Sequence, residues 1–173
     1  MALIVQKYGG SSLADADKIK NVARRIARTR DADNKVVAVV SAMGDTTDDL
    51  IALSEQVSER PEPREMDVLL STGELVSCTL MAMALRSMGY KAISLSGAQA
   101  GIRTNSSHGE AQIAGMHPER LMQELDNDTI VIVAGFQGIS EDLDITTLGR
   151  GGSDTTAVAL AAAMGAARCE VYT

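Results

Sequence analysis

The chain has 173 residues, enough for one domain with a substantial core, and its 45% apolar and 23% charged content excludes a disordered polypeptide. A formal net charge of −7 argues against a nucleic-acid or anionic-membrane surface, so an anionic ligand has to be held by locally placed cations, helix N-termini or metal ions. With one Phe, three Tyr and no Trp, the core must come from Ala, Val, Leu, Ile and the nine Met, which read as core filler.

Taken in chain order, residues 1–7 lack the basic region and cleavage site of a signal peptide, and residues 3–7 read as a first buried strand. A helix is predicted over 15–30, with Ile19, Val22, Ala23, Ile26 and Ala27 on one face and Lys and Arg opposite. Residues 36–41 are a second strand. A helix over 47–59 follows, broken by Pro61 and Pro63. Thr72-Gly73-Glu74 opens a third helix that is apolar on most sides, lies deep and ends at Gly89. Residues 91–95 are a weaker strand, 118–125 a short helix, and 129–134 another strand. The polar, Gly-punctuated stretch 138–152 suggests a hairpin or lid. An Ala-rich helix over 153–164 closes at Gly165, and residues 169–173 read as a last strand. No apolar stretch reaches the ~18 residues of a membrane span. Cys78 and Cys169, far apart and in apolar contexts, read as two buried free thiols in a reducing cytosol. Strands alternating with helices argue for one α/β domain, a mostly parallel sheet covered on both faces. Ligands of such sheets sit at the carboxyl ends of strands, and the unusual residues follow predicted strands.

Lys7-Tyr8-Gly9-Gly10-Ser11-Ser12 is one such segment: two glycines let backbone approach an anion, and Lys7 adds a point charge. It is neither a Walker A loop nor a dinucleotide fingerprint, and by itself it could be an ordinary capped turn. Leu148-Gly149-Arg150-Gly151-Gly152-Ser153-Asp154 is a second Gly-rich turn into a helix. There Arg150 can grip a carboxylate in a bidentate fork, and Ser153 is a plausible N-cap. Ser41-Ala42-Met43-Gly44-Asp45-Thr46-Thr47 crowds hydroxyls at a strand end, where the threonines either cap a helix or meet a ligand. Glu74, a carboxylate in an apolar helix, needs a partner: a cation, backbone N–H groups or a substrate ammonium. His108 and His117 lack zinc-site spacing and read as surface or loop residues, so no metal site is assigned.

Together and in order, these blocks resemble the aspartokinase branch of the amino-acid kinase family. The matching segments also include Gln99-Ala100-Gly101-Ile102, Ala134-Gly135-Phe136-Gln137-Gly138 and Thr146-Thr147 running through Thr155-Thr156. The resemblance implies a three-layer αβα sandwich and transfer of the γ-phosphoryl of MgATP to the β-carboxylate of L-aspartate. The product is β-aspartyl phosphate, the entry to lysine, threonine and methionine synthesis. It also implies that Lys7, Gly9, Gly10 and Ser11 hold the ATP phosphates, and that Asp154 orients a catalytic Lys7. Glu74 would receive the substrate ammonium, Arg150 its carboxylate, and Ser41, Thr47 and Ser153 would add polar contacts. Two local departures stand out: Asn105, where an Asp often follows, and Leu143, where a glycine is common.

The resemblance further implies that residues 1–173 are the N-terminal portion of the catalytic domain. The adenine-binding remainder and the regulatory ACT domains would lie beyond Thr173. On that basis the chain is expected to be cytoplasmic, inactive alone, and self-associating or homo-oligomeric. Two competing readings remain: a non-catalytic binding or assembly module that pairs with a separate polypeptide, and a kinase for another amino acid.

Overall fold

A computed structural model describes residues 1–173. Its elements are β1 (Ala2–Tyr8), a 3-10 turn (Gly10–Leu13), α1 (Ala16–Asp31), β2 (Asn34–Val40), α2 (Thr46–Val57), α3 (Pro63–Ser87), β3 (Ala92–Leu95), β4 (Ile102–Thr104), β5 (Ile113–Met116), α4 (Glu119–Asp126), β6 (Ile130–Ala134), β7 (Gln137–Ile139), β8 (Ile145–Thr147), α5 (Gly152–Met164) and β9 (Arg168–Tyr172). Five strands form a wholly parallel sheet in the order β3-β6-β2-β1-β9. A smaller, mostly antiparallel sheet, β5-β4-β7-β8, flanks it.

The central strands are apolar on both faces because both faces are covered. Val36, Ala38 and Val40 of β2 join Ile130, Ile132 and Ala134 of β6 in one core, against α1 and α3. Val37, Val39, Val131 and Val133 point the other way, onto α4, α5 and β4. The result is the three-layer αβα sandwich. Helix α1 buries the five residues its periodicity singles out, and Asp15 caps it by accepting from the Lys18 N–H at 2.8 Å.

Helix α3 departs from the sequence-based reading. It runs 25 residues, with Pro63 in its first turn, so Thr72-Gly73-Glu74 lies in its middle rather than at its start. Pro63 breaks α2 and also opens α3, since a proline costs nothing where no N–H is needed. Gly73 is there for contact: a Cβ would stand 2.9 Å from the Ala42 Cβ. By length and composition α3 could cross a membrane, a correction to the expectation that no such stretch exists. Here it is the core helix, with Asp67 and Glu74 among its buried residues, yet Val76, Leu80 and Met83 stay exposed on its outer face.

The thiols and methionines also need correction. Cys78 is buried but Cys169 is exposed, because β9 is an edge strand. Met81 is fully buried, whereas Met1, Met83, Met88 and Met122 are exposed. Residues 138–152 contain a hairpin, β7–β8, which continues the second sheet.

Candidate functional site

In register, Tyr8 of β1 lies beside Val40 of β2, and Val40 beside Ala134 of β6. Parallel pairing thus brings the turns that follow these three strands out side by side at one sheet edge. Gly10 is required at this junction, because a Cβ there would sit 2.7 Å from the Ala42 carbonyl oxygen. The Gly44 N–H donates to the Gly10 carbonyl at 2.9 Å, tying the first turn to the second. After β6, Phe136 holds a left-handed φ of 73°, a strained choice for an aromatic residue. Its N–H donates to the Thr156 hydroxyl at 3.1 Å and its carbonyl accepts from Leu148 N–H at 2.8 Å. Helix α5 starts beneath it. Gly152 is needed where a Cβ would meet the Phe136 ring at 2.6 Å.

These turns enclose a cavity of about 290 Å³. Lys7, Gly10, Ser41, Thr47, Glu74, Arg150, Ser153 and Asp154, eight residues of the sequence-derived set, line it. The structure does not bring Gly9 and Ser11 into that lining. Ser11 faces a separate cavity of about 430 Å³ with Ser12, Lys18, Arg25 and Tyr172, and Gly9 packs against Thr173.

Lys7 Nζ lies 2.9 Å from the Asp154 carboxylate, joining the end of β1 to the first turn of α5. The Lys7 side chain is only 12% exposed and Asp154 about half exposed, so the pair is open on the carboxylate side. The N-cap of α5 is Gly151, at φ 72°, and not Ser153. Ser153 instead accepts a hydrogen bond from the Ser41 hydroxyl at 3.0 Å. Nor does Thr46 or Thr47 cap α2: Asp45 occupies that position, without a side-chain bond. Arg150 is exposed and takes part in no ion pair, leaving its five donors available.

Glu74 is the unusual group. It is 3% exposed, and its Oε2 receives no hydrogen bond. Burial raises its pKa from 4.5 to about 7, opposed by backbone N–H groups of Glu74 and Ala42. A buried, unsatisfied carboxylate oxygen in a cavity wall is a group awaiting a donor.

Sequence reasoning missed several contributors. Ser77, fully buried one turn beyond Glu74, donates to the Ser41 carbonyl at 2.6 Å and so fixes the β2 turn. Phe136 lay within a quoted motif, but only its backbone geometry marks it. His108 is no free surface residue: its Nδ1 is 2.6 Å from buried Asp67, which also accepts from Thr147 at 2.6 Å and from the Gly109 N–H. Asp67 thereby pins the 105–112 loop and β8 to α3. No group of three or more His, Cys, Asp or Glu side chains is placed to hold a metal ion.

The Amino acid kinase family model matches residues 2–173. An aspartokinase of Mycolicibacterium smegmatis is 61% identical over the whole chain, and one of Geobacillus stearothermophilus 56%. The chain spans about two fifths of the length of these relatives, 41% and 42%. Among solved structures, aspartate kinase from Synechocystis superposes with a TM-score of 0.86 at 49% identity, covering 99% of this chain and 28% of that one. Aspartokinase III of E. coli, solved with aspartate and ADP, gives 0.87 at 28% identity over 99% of this chain and 49% of that one.

Proposed function

The chain belongs to the amino acid kinase family, and from that premise we propose that it forms the N-terminal portion of an aspartate kinase catalytic domain. The activity is ATP-dependent phosphorylation of the β-carboxylate of L-aspartate. One observation carries this reading: the cavity pairs a buried carboxylate with one unpaired oxygen, Glu74, with an unpaired guanidinium, Arg150. That pair is complementary to the ammonium and carboxylate of an amino acid. Relatives named aspartokinase, and the aspartate and ADP held by the E. coli enzyme, support this substrate and this nucleotide.

In this reading a β-carboxylate oxygen of aspartate attacks the γ-phosphorus, the bond to the β-phosphate bridging oxygen breaks, and ADP leaves. The reaction asks the protein for positioning and charge stabilisation rather than a covalent nucleophile. Lys7, held by Asp154 at 2.9 Å, supplies positive charge where it develops on the transferring group. Backbone N–H groups at Gly10 and at the start of α5 add to it. Ser41, Thr47 and Ser153 contribute hydroxyls. Mg²⁺ arrives with the nucleotide phosphates. Gly9 and Ser11 reach phosphate only through a nucleotide that extends past the lining of the cavity. Free thiols at Cys78 and Cys169 fit a reducing cytoplasm. Self-association is part of the proposal, supported by the edge position of β9 and the exposed outer face of α3.

The test is a graft. This chain replaces its counterpart in the M. smegmatis aspartokinase, and acyl phosphate formed from MgATP and L-aspartate is trapped as the hydroxamate. Turnover is expected, and Lys7→Ala in the graft should lower it by ~10²–10³. An inactive graft whose chain still binds aspartate would instead favour a binding module.

A further inference from the structure

The proposed reading brings an ammonium group to Glu74 but leaves open what that carboxylate does before the ammonium arrives. Its surroundings define the problem. The charged groups sharing its cavity are Lys7 from β1 and Arg150 and Asp154 from the turn into α5. Lys7 is engaged by Asp154 at 2.9 Å, and neither cation forms an ion pair with Glu74. The neighbouring segments present the hydroxyls of Ser41, Thr47 and Ser153, backbone N–H groups of Glu74 and Ala42 bond the carboxylate, and one turn along α3 stands the buried Cys78 thiol. Glu74 Oε2 has less than 1 Å² of accessible surface and no donor. A charge so placed lacks both water and a counter-ion, and such a carboxyl group neutralises itself by taking a proton.

We infer that Glu74 carries a proton in the free protein and releases it when the ammonium group of the amino acid docks, so that amino-acid binding is coupled to proton release. The inference rests on the reading that this cavity receives an amino acid. An ammonium docked beside Glu74 supplies the counter-charge that the carboxylate lacks, which stabilises the ionised form. Burial, partly offset by the backbone N–H groups of Glu74 and Ala42, raises the pKa to about 7, where a single ion pair suffices to tip it. Bringing a charged amino acid to a neutral wall avoids maintaining an unpaired buried charge between binding events. It also makes affinity depend on pH. Below about pH 7, affinity for the amino acid should weaken ~10-fold for each unit of falling pH.

The experiment is carbon-detected NMR of this chain with ¹³C-labelled glutamate carboxyls, titrated from pH 4 to 9 with and without saturating L-aspartate. Sequential assignment identifies the Glu74 resonance, and its loss in Glu74→Gln checks that assignment. A midpoint near 7 in the free protein that falls by at least one unit with aspartate is the expected result. A free-protein midpoint between about 4 and 5 overturns the inference, and shifts of Arg150 and Ser153 signals on adding aspartate would show that the substrate reading survives. A midpoint near 7 that aspartate leaves in place while those signals move overturns it likewise. No aspartate-induced change anywhere overturns the inference and the substrate reading together.

Discussion

Glu74 carries a stability cost at the position where the substrate ammonium is proposed to dock. Its pKa rises from 4.5 in the unfolded chain to about 7 in the fold, so the folded state binds more protons between those values. Stability therefore falls as pH rises through roughly 4.5 to 7, the opposite sign to an ordinary salt-bridged carboxylate. Glu74→Gln, neutral at every pH, removes that slope. Relative to its value at pH 4, the stability difference should move in the variant's favour by up to about 3 kcal/mol at the alkaline end, read by chemical denaturation across pH 4 to 8. A constant difference across that range would mean that burial leaves the Glu74 pKa at its unfolded value. The residue types of this site were legible because each is chemically conspicuous: a carboxylate in an apolar helix, an arginine among glycines, a lysine at a strand end. Ser77 and Phe136 were not. A serine in a helix has no distinguishing pattern, and a positive φ leaves no trace in the identity of a phenylalanine.

Elements carry the next two tests. Gly73 sits in the middle of α3, where helix propensity favours alanine by ~1 kcal/mol. Packing says otherwise, because the added methyl group would stand 2.9 Å from the Ala42 Cβ, which cannot move aside. Overpacking of this kind costs about 1–3 kcal/mol, so Gly73→Ala should lower stability despite its better propensity. Equal or higher stability on thermal unfolding would mean that the turn after β2 moves away from α3 easily. The β7–β8 hairpin makes the opposite case. Leu143 holds φ 65° and is 71% exposed, so its side chain gains little burial to offset a left-handed backbone. Leu143→Gly should stabilise by up to ~1 kcal/mol, raising the melting midpoint by about 2–4 °C. The same two positions explain where reading by element succeeded and failed. Strands β1, β2 and β6 and helices α1 and α5 announce themselves by apolar runs, periodicity and closing glycines. The first nine residues of α3, before Thr72, escape the sequence pattern because Thr72-Gly73-Glu74 looks like a helix start. Only the tertiary approach of Ala42 reveals that glycine as a contact. Strands β4 and β5 span three and four residues, too short for a period to register.

At the scale of the whole molecule, two surfaces oppose the net charge. Strand β9 pairs with β1 on one side only, so its other edge presents unpaired N–H and C=O groups, with Val171 about half exposed. The outer face of α3 adds Val76, Leu80 and Met83, and no charged side chain lies between Glu74 and Arg86. Under the proposed self-association these are the two surfaces that would meet a second copy of the chain. Against them stands a formal charge of −7 on every copy, which repels at long range and is screened within about 10 Å at 0.1 M salt. The balance has a definite sign: association driven by edge pairing and apolar contact should strengthen as salt rises, because salt weakens only the repulsion. Light scattering over a concentration series should give an apparent mass that climbs with protein concentration, and climbs earlier at 0.5 M than at 0.05 M salt. Val171→Lys places a charge on the open edge, so it should delay the climb at either salt if β9 is the joining surface. An unchanged climb in that variant would move the contact to α3. A constant monomer mass at all concentrations would show that the charge outweighs both surfaces.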